Sequence, residues 1–147
     1  YESFKQEDLP EGVRTGTPGE WEWGNRRVST VAMESEHTWV DFVRCFRRNQ
    51  GGNGGTQPDK CAAYASGVIS SKEKRNVMLR LGFDDWMKIW LNGNPVTTLR
   101  HDNGFETSEV PVTLDKGDNI LVVRLSNANN LEWRCWAFSC VVRDAER

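Results

Sequence analysis

Asp84 and Asp85 are adjacent carboxylates that interrupt a run of apolar residues, and Trp86 and Trp90 follow them closely. Two consecutive aspartates on a loop can supply two of the six to eight oxygens that Ca²⁺ takes as ligands, and residues 102 and 103 could add more. The same aspartates can instead build a turn, because their side chains accept hydrogen bonds from nearby backbone N–H groups. For Asp84 and Asp85, the residue types favour the interpretation as a turn, and a calcium site is the alternative interpretation.

Tryptophan is unusually frequent, with seven in 147 residues. Seven large rings are difficult to bury together, because each indole N–H also needs a hydrogen-bond partner. An exposed indole face can cover the C–H patch of a sugar ring, while Arg, Lys, Asn and Asp side chains bond its hydroxyl groups. The side chains that fit this chemistry are Trp21, Trp23, Trp86, Trp90, Trp133, Arg80, Lys88, Asn92 and Arg134. For any single tryptophan, a place in the core is equally compatible with the sequence.

The sequence does not favour an enzyme. A Ser-His-Asp set needs a histidine beside a nucleophile, and neither His37 nor His101 lies near a Gly-x-Ser-x-Gly stretch. The carboxylates that cleave a glycosidic bond stand on opposite sides of it, and adjacent side chains such as Asp84 and Asp85 fit that role poorly. The Gly-rich stretch 47–59 lacks the Gly-Lys-Ser/Thr ending of a phosphate-binding loop.

Composition and charge argue against several further classes of function. A net charge of −2 without a basic block argues against nucleic-acid binding, and the apolar runs are too short for membrane insertion. The four cysteines, Cys45, Cys61, Cys135 and Cys140, do not have zinc-site spacing. A Cys45–Cys61 disulfide that closes the Gly-rich loop and free buried thiols are both compatible with the sequence. Because the chain starts at Tyr1, we expect it to be a mature or excised piece of a longer protein.

Period-two alternation and frequent turns predict one all-β domain over residues 1–147, an antiparallel β-sandwich of about eight strands. We expect residues 1–36 to be loosely structured and 47–59 to form a Gly-rich loop. The predicted strands are 37–46, 61–70, 76–84, 87–93, 108–114, 119–127 and 133–143. Asp84 and Asp85 would then join two strands.

Alternation also assigns the two faces of these strands. We predict that the core receives Val77, Leu79, Leu81, Phe83, Ile89, Leu91, Leu121, Val123, Leu125, Trp136, Phe138, Cys140 and Val142. The opposite, outer face would carry Arg80, Lys88, Trp90 and Arg124.

The stretches "VMLRLGFDDWMKIWLNGNPV" and "VTLDKGDNILVVRLSNANNLEWRCWAFSCVV" resemble the galactose-binding-like jelly-roll modules appended to polysaccharide-degrading enzymes. They are also similar to the protective-antigen family of lectin-like domains, in which an Asp-Asp pair binds calcium and calcium binds sugar hydroxyls. The resemblance implies calcium ligands at Asp84 and Asp85, although Trp86 stands where those families usually have glycine.

We therefore predict a non-catalytic carbohydrate-binding or accessory module of a larger secreted, cell-surface or periplasmic protein. Its partners would be a polysaccharide or glycan and the catalytic domain of a parent enzyme. The predicted carbohydrate-binding residues are Trp86, Trp90, Arg80, Lys88, Asn92 and Trp133, and the predicted metal ligands are Asp84 and Asp85. The alternative is a structural or interaction β-sandwich spacer without a sugar ligand.

Overall fold

The computed structural model describes residues 9–35, 37–49, 62–127 and 136–145. Two short helices, α1 (Glu11–Thr15) and α2 (Phe42–Asn49), accompany eight strands. The strands are β1 (Gly19–Trp23), β2 (Arg26–Thr30), β3 (Trp39–Asp41), β4 (Ala62–Ser71), β5 (Arg75–Leu91), β6 (Asn94–Leu114), β7 (Gly117–Ser126) and β8 (Ala137–Asp144). No helix in this part of the chain is long and apolar enough to span a membrane.

The long β5–β6 hairpin organises the fold. β6 pairs with one edge of β5 from Arg75↔Leu114 to Leu91↔Asn94. The other edge of β5 pairs with β8 over residues 77–84 and then with β7 over residues 86–91. β3 extends the β8 side and β4 extends the β7 side, all antiparallel. The two halves of β5 thus belong to two layers, and the predicted antiparallel β-sandwich is confirmed.

The main core follows the predicted alternation. One face of β5 contributes Val77, Leu79, Leu81, Phe83, Met87, Ile89 and Leu91, all buried. Alternate residues of β7 and β8 meet this face from the partner strands, namely Leu121, Val123, Leu125 and Phe138. Because the side-chain period of a strand is two, this agreement also confirms the register that places Arg80 and Lys88 on the outer face.

The expected turn at Asp84 and Asp85 is wrong. Both residues lie inside the continuous strand β5 and are 6% and 2% exposed. The peptide bond between them is cis. The pair marks the point where β5 changes neighbour from β8 to β7, since Asp84 pairs with Ala137 and Trp86 pairs with Ser126. β5 stays extended through this point because it pairs with β8 before the two aspartates and with β7 after them.

The predicted strand over 37–46 is half correct, because only β3 is extended and α2 follows it directly. The backbone N–H of Arg44 donates to Asp41 Oδ1 (3.2 Å), which satisfies one of the free N–H groups at the helix start. Phe42 and Phe46 are four positions apart and therefore share a helix face, with ring centroids 6.1 Å apart. Both rings pack against Trp136, at 5.3 and 5.4 Å.

Part of the segment predicted to be loosely structured, residues 1–36, is in fact ordered as α1 and the β1–β2 hairpin. The indole of Trp21 packs on Gly12, where an added Cβ would stand 2.2 Å from Nε1, and Nε1 donates to Thr30 Oγ1 (2.7 Å). Trp23 lies edge-on against Tyr64 of β4, at 6.0 Å between ring centroids. These contacts fix the helix and hairpin on the outer face of the β4–β7–β5 layer.

The prediction that Trp90 forms an exposed platform is wrong. The side chain points to the outer face as predicted, but Leu9 and Val122 enclose it in a second hydrophobic cluster, and it is only 2% exposed. The partly buried Val13 and Trp23 pack against the same cluster. The amino-terminal segment therefore turns part of an outer sheet face into interior.

Candidate functional site

A bulge in β6 shapes the surface beside the point where β5 changes partner. Between the pairs Phe83↔Glu106 and Asp85↔His101, β5 advances two residues and β6 advances five. The extra residues of the bulge are not paired with β5. A bulge of this kind changes the direction in which the side chains of its residues point. His101 Nδ1 lies 3.2 Å from the carbonyl oxygen of Gly104, and His101 Nε2 lies 3.5 Å from Glu106 Oε2. These contacts close the base of the bulge.

Phe105 leaves this bulge and meets Trp39 of β3. Their ring centroids are 4.7 Å apart with an interplanar angle of 36°. Both side chains remain exposed to solvent, Trp39 at 41% and Phe105 at 39% of their surface. We call this pair the aromatic platform.

Small residues make the floor of the platform. Gly82 of β5 pairs with Ser139 of β8, and Ser139 pairs with Trp39. An added Cβ on Gly82 would stand 2.3 Å from Phe105 Cζ and 2.6 Å from Ser139 Oγ. Only a residue without a side chain leaves room for the phenylalanine ring, so Gly82 positions the platform.

Trp86 lies on the other side of the bulge and is half-buried. Its Nε1 donates to Asp102 Oδ1 (2.8 Å), and the Arg100 guanidinium lies 5.3 Å from its ring centroid. The indole is therefore held by a carboxylate and a cation from β6. Its position next to the bulge keeps it a candidate for ligand contact.

The remaining predicted binding residues are spread over the two layers. Arg80 is exposed, two positions before Gly82 on the same face of β5. Lys88 lies in the half of β5 that pairs with β7, and its Nζ is 5.1 Å from the Trp90 ring centroid. The structure thus brings Arg80 near the platform and places Lys88 farther along β5.

Asn92 has a structural role in the β5–β6 turn, where its φ is 49°. Its Nδ2 donates to Asn119 Oδ1 (2.8 Å) and its Oδ1 accepts from the backbone N–H of Ile120 (2.9 Å). It also lines an open cavity of about 320 Å³ together with Pro95, Pro111 and neighbouring residues. Both polar atoms of the amide thus already have partners.

Other predicted residues lie outside the described ranges. These are Trp133, Arg134, Cys61, Cys135 and residues 50–59 of the Gly-rich stretch, whose first residues belong to α2. The Cys45–Cys61 disulfide therefore stays a prediction. Cys140 is a free thiol, and burial raises its pKa from 9.0 to about 11.

The sequence reasoning missed the aromatic platform. Trp39 lies in the predicted strand 37–46 without an assigned role, and Phe105 lies outside the predicted strands. The available signal was an Asn-Gly-Phe sequence inside a long strand, because Asn-Gly favours positive φ and Gly104 has a φ of +84°. The contact with Trp39 itself depends on distant strands.

No protein-family model matches the chain, and no curated protein matches it. Among solved structures, it is similar to a β-glucosidase from Kluyveromyces marxianus, with 15% identity, a TM-score of 0.46 and 57% of this chain covered. It is also similar to a family 35 carbohydrate binding module from an environmental isolate, with 14% identity, a TM-score of 0.43 and 65% of this chain covered. The alignments span 11% of the β-glucosidase chain and 82% of the binding-module chain. At these identities the similarity concerns the fold alone.

Proposed function

We propose that this domain binds a polysaccharide or glycan and does not cleave it. The observation that carries the proposal is the aromatic platform, in which Trp39 and Phe105 keep 41% and 39% of their surfaces exposed on a rigid sheet. Two large apolar side chains in contact on the surface of a small domain are a typical binding feature. A parent protein with a catalytic domain, acting outside the cell, is part of the same proposal.

Binding would combine ring stacking with polar contacts at the edge of the platform. The C–H face of a sugar ring removes apolar area from water when it covers the indole of Trp39. Hydroxyl groups at the sugar edge can bond Arg80, Ser139 and the His101–Glu106 pair, all on or beside the same sheet face. Because the strands hold these groups in place, little ordering cost accompanies binding.

Trp86, Lys88, Asn92 and Trp133 stay in the proposal as contacts for a longer chain. Trp86 is the strongest of them, because its indole borders the bulge that carries Phe105. Asn92 is the weakest, since both polar atoms of its amide already make hydrogen bonds.

Calcium at Asp84 and Asp85 also stays a proposal. Among residues 9–35, 37–49, 62–127 and 136–145, no group of three or more His, Cys, Asp and Glu side chains is placed to hold a metal ion. The described acidic side chains therefore do not make a calcium site by themselves, and ligand binding is not routed through the ion. A bound ion would stabilise the native state, so EDTA would lower Tm, and Asp85→Ala would remove that effect. An unchanged melting curve with excess EDTA contradicts calcium binding.

The test of the proposed function is affinity electrophoresis on a panel of neutral and charged polysaccharides. We expect retardation of the native domain, and loss of retardation in Trp39→Ala and Phe105→Ala. The matched control is Val68→Ala, which removes an exposed apolar side chain (54% exposed) from β4. Absence of retardation on every polysaccharide contradicts the proposal.

The alternative is a spacer or interaction module without a sugar ligand. It predicts that both platform rings contact protein, so that capture of a protein partner, and not of glycan, depends on Trp39. Acrylamide quenching gives a quick discrimination, because a spacer with protected indoles would show uniformly shielded emission. Of the six described tryptophans, only Trp90 and Trp136 are fully buried, which favours the glycan proposal.

A further inference from the structure

We propose that this domain forms a weak two-fold dimer, in which the free edge of β4 pairs antiparallel with β4 of a second copy of the chain. The proposal concerns assembly and does not rest on glycan binding. In the part of the chain that the structure describes, β4 pairs with β7 on one edge and with no strand on the other. Such an edge presents a row of unpaired backbone N–H and C=O groups, to which another strand can bond.

The other free edges of the six-stranded sheet carry features that discourage pairing. β3 has only three residues, and β6 contains Pro95 and Pro111 together with charged residues such as Arg100 and Glu109. Short length, prolines and charges are the usual means by which proteins prevent strand edges from pairing. β4 has none of these features, since its ten residues, AAYASGVISS, include no charge and no proline. Among the described edges of this sheet, the β4 edge is therefore the one most open to pairing.

The hydrogen bonds of Ile120 show which backbone groups of β4 reach its free edge. The carbonyl oxygen of Ile120 accepts from the N–H of Asn92 (2.9 Å), and its N–H donates to Asn92 Oδ1 (2.9 Å), so both groups point away from β4. Ile120 is the strand partner of Val68, and the two therefore form a non-hydrogen-bonded pair. The N–H and C=O of Val68 then point away from β7, to the free edge. Because this direction alternates along a strand, the other even-numbered residues of β4 also present these groups at the edge.

The β4 edge matches a copy of itself. When two copies pair antiparallel about Gly67, Ser66 of each copy stands opposite Val68 of the other, and Tyr64 stands opposite Ser70. Each of these pairs joins residues whose N–H and C=O reach the edge, and such a pair exchanges two bonds, so about eight main-chain hydrogen bonds can form. Like charges do not meet within the paired strands, because β4 carries no charge. A second copy of the chain is therefore a partner of suitable length, direction and charge.

The edge is accessible over its second half, and its size sets the strength of the dimer. Gly67, Val68 and Ser70 are exposed, and Val68 keeps 54% of its surface open to solvent. Ten extended residues are about 34 Å long and the two layers of a sandwich are about 10 Å apart, so the contact would bury roughly 700 Å² over both copies. Weak, transient interfaces bury less than about 1,200 Å². We therefore expect a reversible dimer that forms only at high micromolar concentration.

The proposed contact leaves the aromatic platform open. β4 belongs to the layer that contains β7 and the second half of β5. Trp39 and Gly82 belong to the other layer, which contains β3, β8 and the first half of β5. Dimerisation and glycan binding can therefore be measured independently.

Sedimentation velocity over a concentration series from about 10 to 1,000 μM tests the proposal. We expect the average mass of the native protein to rise with concentration toward that of a dimer. Val68→Pro removes one N–H at the free edge from each copy and leaves the bonds to β7 in place, and proline is tolerated on edge strands. Two lost hydrogen bonds should weaken dimerisation by at least about tenfold. Val68→Ala keeps the N–H and is the matched control, which should dimerise nearly as the native protein does.

Amide hydrogen exchange in the native protein is a second test that needs no variant. Raising the concentration should slow exchange at Ser66 and Val68, whose N–H groups reach the edge, and leave Ala65 and Gly67, which already bond β7, unchanged. A monomer at every concentration, undiminished association of Val68→Pro, or protection that does not alternate along β4 overturns the proposal. These results do not depend on retardation by a polysaccharide, so the proposed function holds or fails separately.

Discussion

Replacing Gly82 by alanine is expected to displace the platform while leaving both aromatic residues in the sequence. The new Cβ would stand 2.3 Å from Phe105 Cζ. Ordinary carbon contacts are about 3.5–4.0 Å, so the ring must move by roughly 1.2–1.7 Å. Phe105 is 39% exposed and can swing toward solvent, which makes the shift tolerable for the fold.

The expected magnitudes follow from these contacts. Loss of the aromatic contact with Trp39 costs about 0.5–1.5 kcal/mol of folding free energy, which lowers Tm by roughly 2–6 °C in a domain of this size. An exposed fraction of 39% on a phenylalanine of about 150–200 Å² leaves roughly 60–80 Å² for a ligand to cover. At about 25 cal/mol per Å², losing that area weakens glycan binding by roughly ten- to thirtyfold.

The assay is affinity electrophoresis combined with thermal melting, and Gly67→Ala is the matched control. A Cβ on Gly67, also within a strand, meets nothing within 4 Å, so this variant should keep its affinity and melt at the same or a slightly higher temperature. Unchanged binding in Gly82→Ala would refute the assigned role of Phe105. A melting temperature lower by tens of degrees would show that Gly82 supports the fold and not the platform.

Three further predictions concern stability and reactivity. Trp90→Ala should destabilise the domain by about 3–5 kcal/mol in chemical denaturation, since the side chain is 2% exposed; a loss below about 1 kcal/mol would contradict its burial. Asn119→Ala should cost at least about 2 kcal/mol, because its buried amide bonds Asn92 Nδ2 and the carbonyl oxygens of Ile69 and Asp115; a neutral effect would contradict this network. Burial raises the pKa of Cys140 to about 11, so alkylation of the native thiol at pH 8 should be much slower than in denaturant. The folded state then holds this proton more tightly, and its contribution to stability should be lost as pH rises from 9 to 11, which pH-dependent denaturation would detect.

The layers of the sandwich were predictable because alternation is a local signal. Val77, Leu79 and Leu81 point to the core for the same reason that Arg80 points away from it. Trp90 shows the limit of this reasoning. Its face was predicted correctly, but its burial depends on Leu9 and on a helix and hairpin distant in the sequence.

The aromatic platform could not be predicted from local patterns. Trp39 and Phe105 meet because β8 and β5 lie between their strands and because a bulge in β6 re-aims Phe105. The prediction of a turn at Asp84 and Asp85 fails for a similar reason, since the change of strand partner at that point is a property of the whole fold.

The most direct measurement of the central claim is acrylamide quenching of tryptophan emission with and without a saturating polysaccharide that retards the domain. We expect the polysaccharide to reduce quenching in the native protein, because it covers the 41% of Trp39 that faces solvent. We expect the reduction to be clearly smaller in Trp39→Phe, which keeps an aromatic ring for binding. An equal reduction in Trp39→Phe would place the ligand elsewhere and contradict binding at the aromatic platform.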